Sequence, residues 1–214
     1  TIKSLVEKGV LKREIVNDFR EIGSFTKIVK KDITLNSEQK KAYLKVINNP
    51  PDKYLLHGVT GSGKTEVYLD LIEYYVNKDM EAIMLVPEIS LTPQMVSRLK
   101  GKFGDLVAVL HSGLSAGEKY DEWRKIYQKK VKIVVGARSA IFAPFSKLGI
   151  IIIDESHDTS YIQTNSPNYD TVDIATVRAK THNCSLVLGT ATPRVSRYYK
   201  ALNSNIKLLE LKNR

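Results

Sequence analysis

The sequence's clearest chemistry lies in Gly58-Val59-Thr60-Gly61-Ser62-Gly63-Lys64-Thr65, a glycine, four residues, then Gly-Lys-Thr. Glycines in this pattern let successive backbone N–H groups turn toward an anion, and a following helix adds its positive N-terminal end. The backbone from Gly58 through Thr60, Gly61, Ser62 and Gly63 would cradle a triphosphate, Lys64 would reach its β and γ phosphates, and the Thr65 hydroxyl would ligate a bridging Mg²⁺. Ninety residues after Lys64, the apolar run Leu148-Gly149-Ile150-Ile151-Ile152-Ile153 delivers Asp154 and Glu155. An acidic pair at a strand end suits a Mg²⁺ site in which Asp154 holds the metal's coordination shell and Glu155 polarises an attacking water. Either motif alone could be ordinary turn chemistry; together they are two halves of one ATP·Mg²⁺ site.

The flanking elements are of the right kind to position these groups. Tyr54-Leu55-Leu56 suits a buried strand and Glu66 to Asn77 a helix. Further buried strands are expected at Ala82–Val86, Leu106–Leu110, Val131–Val135 and Leu148–Ile153, with a last one at Ser185–Leu188. Helices are expected from Asn36-Ser37-Glu38-Gln39 onward, over Ala116 to Lys130, and over 174–181. Strands alternating with helices at this pace predict an α/β fold with a doubly wound, mainly parallel sheet and helices on both faces. Ligands of such sheets bind at the carboxyl ends of the strands. That edge collects Pro87, Ser90, Thr92, Gly136, Arg138, Ser139, Thr190 and Thr192, groups of a kind that contacts phosphates. Residues 159–173 are expected as a polar, turn-rich loop carrying Tyr161 and Tyr169.

Composition narrows the class. The 214 residues carry 33 Lys and Arg against 23 Asp and Glu, and a net charge of +10 favours a polyanionic partner. No apolar run approaches the roughly 20 residues of a membrane-spanning helix. The single cysteine, Cys184, permits neither an internal disulfide nor a cysteine-rich zinc site, and its surroundings indicate burial. A reducing, cytoplasmic setting is therefore expected. The chain begins at Thr1, and residues 1–33 are expected to be the end of a preceding domain or a strap, with 34–214 forming the ATP-binding lobe.

Gln39, the P-loop, Pro87-Glu88-Ile89-Ser90-Leu91-Thr92, the Asp-Glu-x-His box at 154–157 and Thr190-Ala191-Thr192 together resemble the first, RecA-like motor lobe of a superfamily 2 helicase. More narrowly, Gly58 to Tyr68, Leu85 to Gln94, His111 to Ser115, Val134 to Phe145 and the run through His157-Asp158, Ser160-Tyr161 and Gln163 are similar to the bacterial primosomal helicases that restart stalled replication. The likeness covers about residues 35–200. It implies that Gln39 contacts adenine, that His157, Thr190 and Thr192 couple hydrolysis to motion, and that single-stranded or forked DNA crosses Pro87 to Thr92 and Gly136 to Ser139. It further implies that the loop bearing Tyr161 and Tyr169 senses DNA. Primosome and single-strand-binding proteins are the implied partners, with a monomeric state, and residues 1–33 become the end of a winged-helix domain. A second motor lobe with its arginine finger and a zinc module would belong to other parts of the parent protein, so this lobe alone should bind ATP and hydrolyse it poorly.

The sequence departs from the family pattern at Ser156, where a second Glu is usual, at Ile162, where Lys is, and at Thr171-Val172, where Ala-Arg is. Arg194-Val195-Ser196-Arg197 replaces a common Ser-Leu-Glu-Ser. Another superfamily 2 DNA or RNA helicase is the nearest alternative, and a P-loop kinase or nucleotide switch a more distant one. The hydroxyl pair at Thr190 and Thr192 favours the motor, since a kinase or switch needs no such pair at a later strand end.

Overall fold

Strands too apolar to face water on either side must sit between two layers. The computed structural model describes residues 2–12, 34–203 and 205–213. Its elements in chain order are α1 (Ile2–Glu7), α2 (Ser37–Ile47), β1 (Lys53–Gly58), α3 (Lys64–Asn77), β2 (Glu81–Leu85), α4 (Pro93–Phe103), β3 (Val107–Leu110), α5 (Ala116–Tyr127) and β4 (Ile133–Gly136). There follow β5 (Leu148–Ile153), β6 (Ile162–Gln163), β7 (Tyr169–Asp170), α6 (Thr171–His182), β8 (Ser185–Thr190), α7 (Val195–Leu202) and β9 (Lys207–Leu211). Seven strands form one parallel sheet in the order β3-β4-β2-β5-β8-β1-β9.

Alternate residues of each strand feed opposite layers. Tyr54, Leu56, Ile150 and Ile152 pack with Val46 of α2, Val67 and Leu71 of α3 and Leu99 of α4. Leu55, Ile151 and Ile153 pack with Ile126 of α5, Val172 and Ala175 of α6 and Ala201 of α7 on the other face. Each fully buried isoleucine contributes about 2–3 kcal/mol relative to exposure. The expected doubly wound α/β sheet is therefore what forms.

The strand order decides which sequence motifs can meet. Because β8 lies between β5 and β1, the carboxyl end of β1 with its P-loop stands beside those of β8 (Thr190) and β5 (Asp154). The ends of β2 and β4, followed by Pro87 and Ala137, form the other half of the same edge.

Three expectations change. Ser185–Leu188 does not hold the last strand: β9 pairs in parallel with β1 at the sheet edge. Residues 159–173 are not one loop but a 3-10 turn, the β6–β7 hairpin and the start of α6, which begins at Thr171 because the Asp170 carboxylate accepts the Val172 N–H at 2.8 Å. Helix α7 occupies Val195–Leu202, where none was expected. The segment expected as a preceding-domain remnant, residues 1–33, falls outside the described residues except for 2–12, where α1 ends before Gly9 and buries none of its residues.

Candidate nucleotide and metal site

The P-loop turns between β1 and α3 at a point where only glycine fits. Gly63 caps α3 with φ of +79°, and a Cβ there would meet Gln39 Nε2 at 2.2 Å. Gln39 reaches that point because it is part of the cap of α2: its Oε1 accepts the Asn36 N–H at 2.9 Å, and its Nε2 donates to the Ser62 carbonyl at 2.9 Å. The adenine candidate is thus a buried strut holding the loop's backbone. Lys64 is buried, and its ammonium donates to the Gly58 carbonyl at 2.9 Å and lies 3.6 Å from Glu155 Oε1. Thr60 and Gly61 are exposed at the loop's crest, Ser62 is buried and Thr65 half-buried at the start of α3.

Asp154 is held by its neighbours on three sides. Its N–H donates to the Leu85 carbonyl of β2 at 2.8 Å, its own carbonyl accepts the Tyr161 hydroxyl at 2.8 Å, and its carboxylate Oδ1 accepts the Tyr68 hydroxyl at 2.9 Å. Burial, and next the charge of Glu155, push the Asp154 carboxyl above its ordinary range, against the Tyr68 hydrogen bond and the charge of Lys64. Glu155 adopts φ of +42°, a left-handed conformation uncommon for a residue with a Cβ. Its Oε2 is 3.5 Å from His157 Nδ1. That histidine nitrogen is 2.8 Å from the Thr190 hydroxyl, whose oxygen also accepts the Thr192 N–H at 3.0 Å. The residues expected to couple hydrolysis to motion are therefore contiguous with the acidic pair, Thr192 through its backbone while its side chain stays exposed.

Among the described residues, three buried side-chain polar atoms lack a hydrogen-bond partner: Tyr54 Oη, Ser62 Oγ and Glu155 Oε2. Two of the three belong to this site, which is where a bound group would satisfy them. The donor set fits an ATP·Mg²⁺ group, since Mg²⁺ keeps several waters and needs only one or two protein oxygens beside substrate phosphates. Thr65 and Asp154 would supply those oxygens, and no cluster of three or more His, Cys, Asp or Glu side chains able to hold a metal occurs among the described residues.

The expected nucleic-acid path is less uniform. Ser139 and Thr92 are exposed and Ser90 half-buried, but Pro87 and Gly136 are buried. Thr92 caps α4, its hydroxyl accepting the Met95 N–H at 3.3 Å. Arg138 is half-buried, and its guanidinium donates to the carbonyls of Ser160 (3.2 Å) and Ile162 (3.0 Å), so it holds the β6–β7 segment. Tyr161 points inward at 1% exposure and grips Asp154, whereas Tyr169 is half-buried and packs edge-on to the exposed ring of Phe142, centroids 5.3 Å apart.

Four side chains escaped the sequence reading. Tyr68 lies one helical turn after Lys64, a spacing that places both on one face of α3 and was the available signal. Phe142 follows Arg138 by a similar step. Arg197 donates to the Ser156 carbonyl at 2.5 Å and Arg194 to that of His157 at 3.2 Å. Both guanidinium groups also approach the Asp170 carboxylate, at 3.7 and 4.0 Å. The departure at 194–197 thus ties α7 to the acidic box and to the hairpin.

Residues 32–195 match the family model described as type III restriction enzyme, res subunit. The whole chain is 53% identical over 220 residues to replication restart protein PriA of Bacillus subtilis, spanning 27% of that protein. Against the protein of the same name from Synechocystis it is 45% identical over 206 residues, covering 93% of this chain and 24% of the relative. The chain therefore spans about a quarter of the length of these curated relatives. Among solved structures, RecG bound to a three-way DNA junction superposes with a TM-score of 0.63 at 23% identity over 86% of this chain and 24% of that one. The Hef helicase domain of Pyrococcus furiosus gives 0.60 at 21% identity over 81% of this chain and 37% of its own. At these identities the two structures speak for the fold.

Proposed function

Because the chain belongs to the family described as type III restriction enzyme, res subunit, and is similar along its whole length to replication restart protein PriA, we propose that it is the ATP-binding motor lobe of a DNA helicase or translocase acting in primosome assembly and the restart of stalled replication forks. The observation that carries the reading is the continuous chain of contacts from Lys64 through Glu155 and His157 to Thr190, beside Asp154 at the carboxyl edge of the sheet.

In this reading the P-loop amides receive the triphosphate and Lys64 turns its ammonium from Gly58 toward the phosphates. Thr65 and Asp154 hold Mg²⁺, which when bound neutralises charge on the phosphate oxygens. Glu155, whose buried Oε2 accepts no hydrogen bond within the protein, orients and polarises the attacking water. His157 and Thr190 carry the change at Glu155 to the strand end at Thr192. A second motor lobe would supply the cation that stabilises the transferring phosphoryl group, and without it turnover is slow. Single-stranded and forked DNA are the proposed nucleic-acid partners, primosome and single-strand-binding proteins the proposed protein partners, and the cytoplasm the proposed setting. No described helix is long and apolar enough to cross a membrane.

ATPase of the full-length protein, measured with forked DNA, single-stranded DNA, RNA and no nucleic acid, tests the reading. Stimulation should be seen with single-stranded or forked DNA and should vanish in Lys64→Ala. Equal rates with and without DNA, or stimulation by RNA alone, would overturn it.

A further inference from the structure

Tyr68 is fully buried between α3 and the sheet, with its hydroxyl against the end of β5. A buried hydroxyl in a sheet-to-helix interface costs stability unless it is bonded, and a phenylalanine would fill the same space without that cost. Two features show that the fold is built around the oxygen. The hydroxyl donates to Asp154 Oδ1 at 2.9 Å, 86 positions along the chain. It also passes over Gly189 of β8 so closely that a Cβ there would stand 1.6 Å from it, and that same Cβ would be 3.3 Å from Asp154 Oδ1. The gap left by Gly189 is the channel through which the phenol reaches the carboxylate.

We infer that Tyr68 is a positioning residue for the metal-holding carboxylate: its hydroxyl engages Asp154 Oδ1, fixes the rotation of the carboxylate and leaves Oδ2 as the oxygen that serves the metal. The inference rests on the proposed ATP·Mg²⁺ site. A freely rotating carboxylate would present either oxygen and must lose that freedom on binding; one already held loses little. The same bond joins α3, which begins at Lys64, to the end of β5, so the phosphate-binding and metal-binding halves of the site keep one spacing. Tyr161 constrains only the Asp154 backbone and cannot replace this restraint on the side chain.

The test uses the full-length protein and measures binding, not turnover. Fluorescent ADP is titrated in EDTA, and Mn²⁺ binding to the ADP complex is followed by electron paramagnetic resonance, for wild type, Tyr68→Phe, Gly189→Ala and Asp154→Asn. For Tyr68→Phe, ADP affinity in EDTA should be unchanged while Mn²⁺ affinity falls about tenfold, the scale of one charge-assisted hydrogen bond. Gly189→Ala, which displaces the hydroxyl and keeps the tyrosine, should give a similar loss and serves as the second arm if Tyr68→Phe folds poorly. Wild-type Mn²⁺ affinity in Tyr68→Phe, or an equal loss of ADP affinity in EDTA, overturns the positioning role. Asp154→Asn separates the two levels: if it too leaves Mn²⁺ affinity intact, the metal assignment of Asp154 fails; if it alone lowers it, only the role of Tyr68 fails.

Discussion

At the scale of single residues, the site combines groups whose use is written along the chain with groups whose use depends on the fold. Gly58 to Thr65 and Asp154-Glu155 were legible because glycine spacing and an acidic pair after an apolar run carry their chemistry locally. Tyr68 and the inward turn of Tyr161 were not, because each acts on Asp154 only once β5, β8 and α3 are side by side. Glu155→Gln in the full-length protein should keep ATP affinity within about twofold and reduce turnover at least about a hundredfold, since the amide preserves shape and loses the carboxylate's pull on water. Steady-state ATPase alongside nucleotide binding checks this; unchanged turnover would make Glu155 a structural acid. Cys184 offers a second check on the packing: burial pushes its thiol up to about 11, so the folded protein should resist alkylation at pH 8 and become reactive only on unfolding. Rapid labelling under native conditions, followed by mass spectrometry, would contradict the burial.

At the scale of elements, the buried strands were predictable from apolar runs alone, while β9 and α7 were not. Lys207-Leu208-Leu209-Glu210-Leu211 places charge at an edge position that only the pairing with β1 makes a strand. The eight-residue α7 packs on the core through Ala201 and the partly buried Tyr198 while Val195, Tyr199 and Leu202 stay exposed, and the capping Arg194 and the half-buried Arg197 fasten it to its neighbours. Arg197 is the stronger anchor of the pair. Its guanidinium is bonded to the Ser156 carbonyl and approaches Asp170, and burial shifts its pKa down against the opposing pull of the Asp170 charge. Arg197→Met should lower stability by about 1–3 kcal/mol, because it leaves a carbonyl and a half-buried carboxylate less well satisfied. For a domain of this size that is a drop of several degrees in melting temperature. A Tm within one degree of wild type would show that the link is incidental.

At the scale of the whole molecule, the charge of +10 becomes informative only when placed on the sheet. Arg138 follows β4 at the carboxyl edge, whereas Lys129 and Lys130 follow α5 and precede β4, which puts them at the opposite edge, away from the nucleotide site. DNA binding through the strand ends should weaken with salt by about 0.7 in log–log slope per phosphate neutralised on a single strand. Arg138→Ala in the full-length protein should lower affinity and make that slope shallower, by up to about one unit, while Lys129→Ala/Lys130→Ala leaves both near wild type. A fluorescence-anisotropy salt titration decides it, and equal effects from the two variants would mean diffuse surface binding. The same topology gives the P-loop a mechanical neighbour. As the chain leaves β9, the N–H groups of Lys212 and Asn213 donate to Glu38 Oε2 at 2.8 and 3.1 Å, and the next residue on α2, Gln39, grips the Ser62 carbonyl. A pull on the chain at Asn213 is therefore shared between the β9–β1 pairing and two adjacent side chains, the second of which reaches the floor of the P-loop. Cutting that cable with Glu38→Ala should speed hydrogen exchange at the amides of Ser62 to Lys64, and undisturbed exchange there would show that the load takes another route.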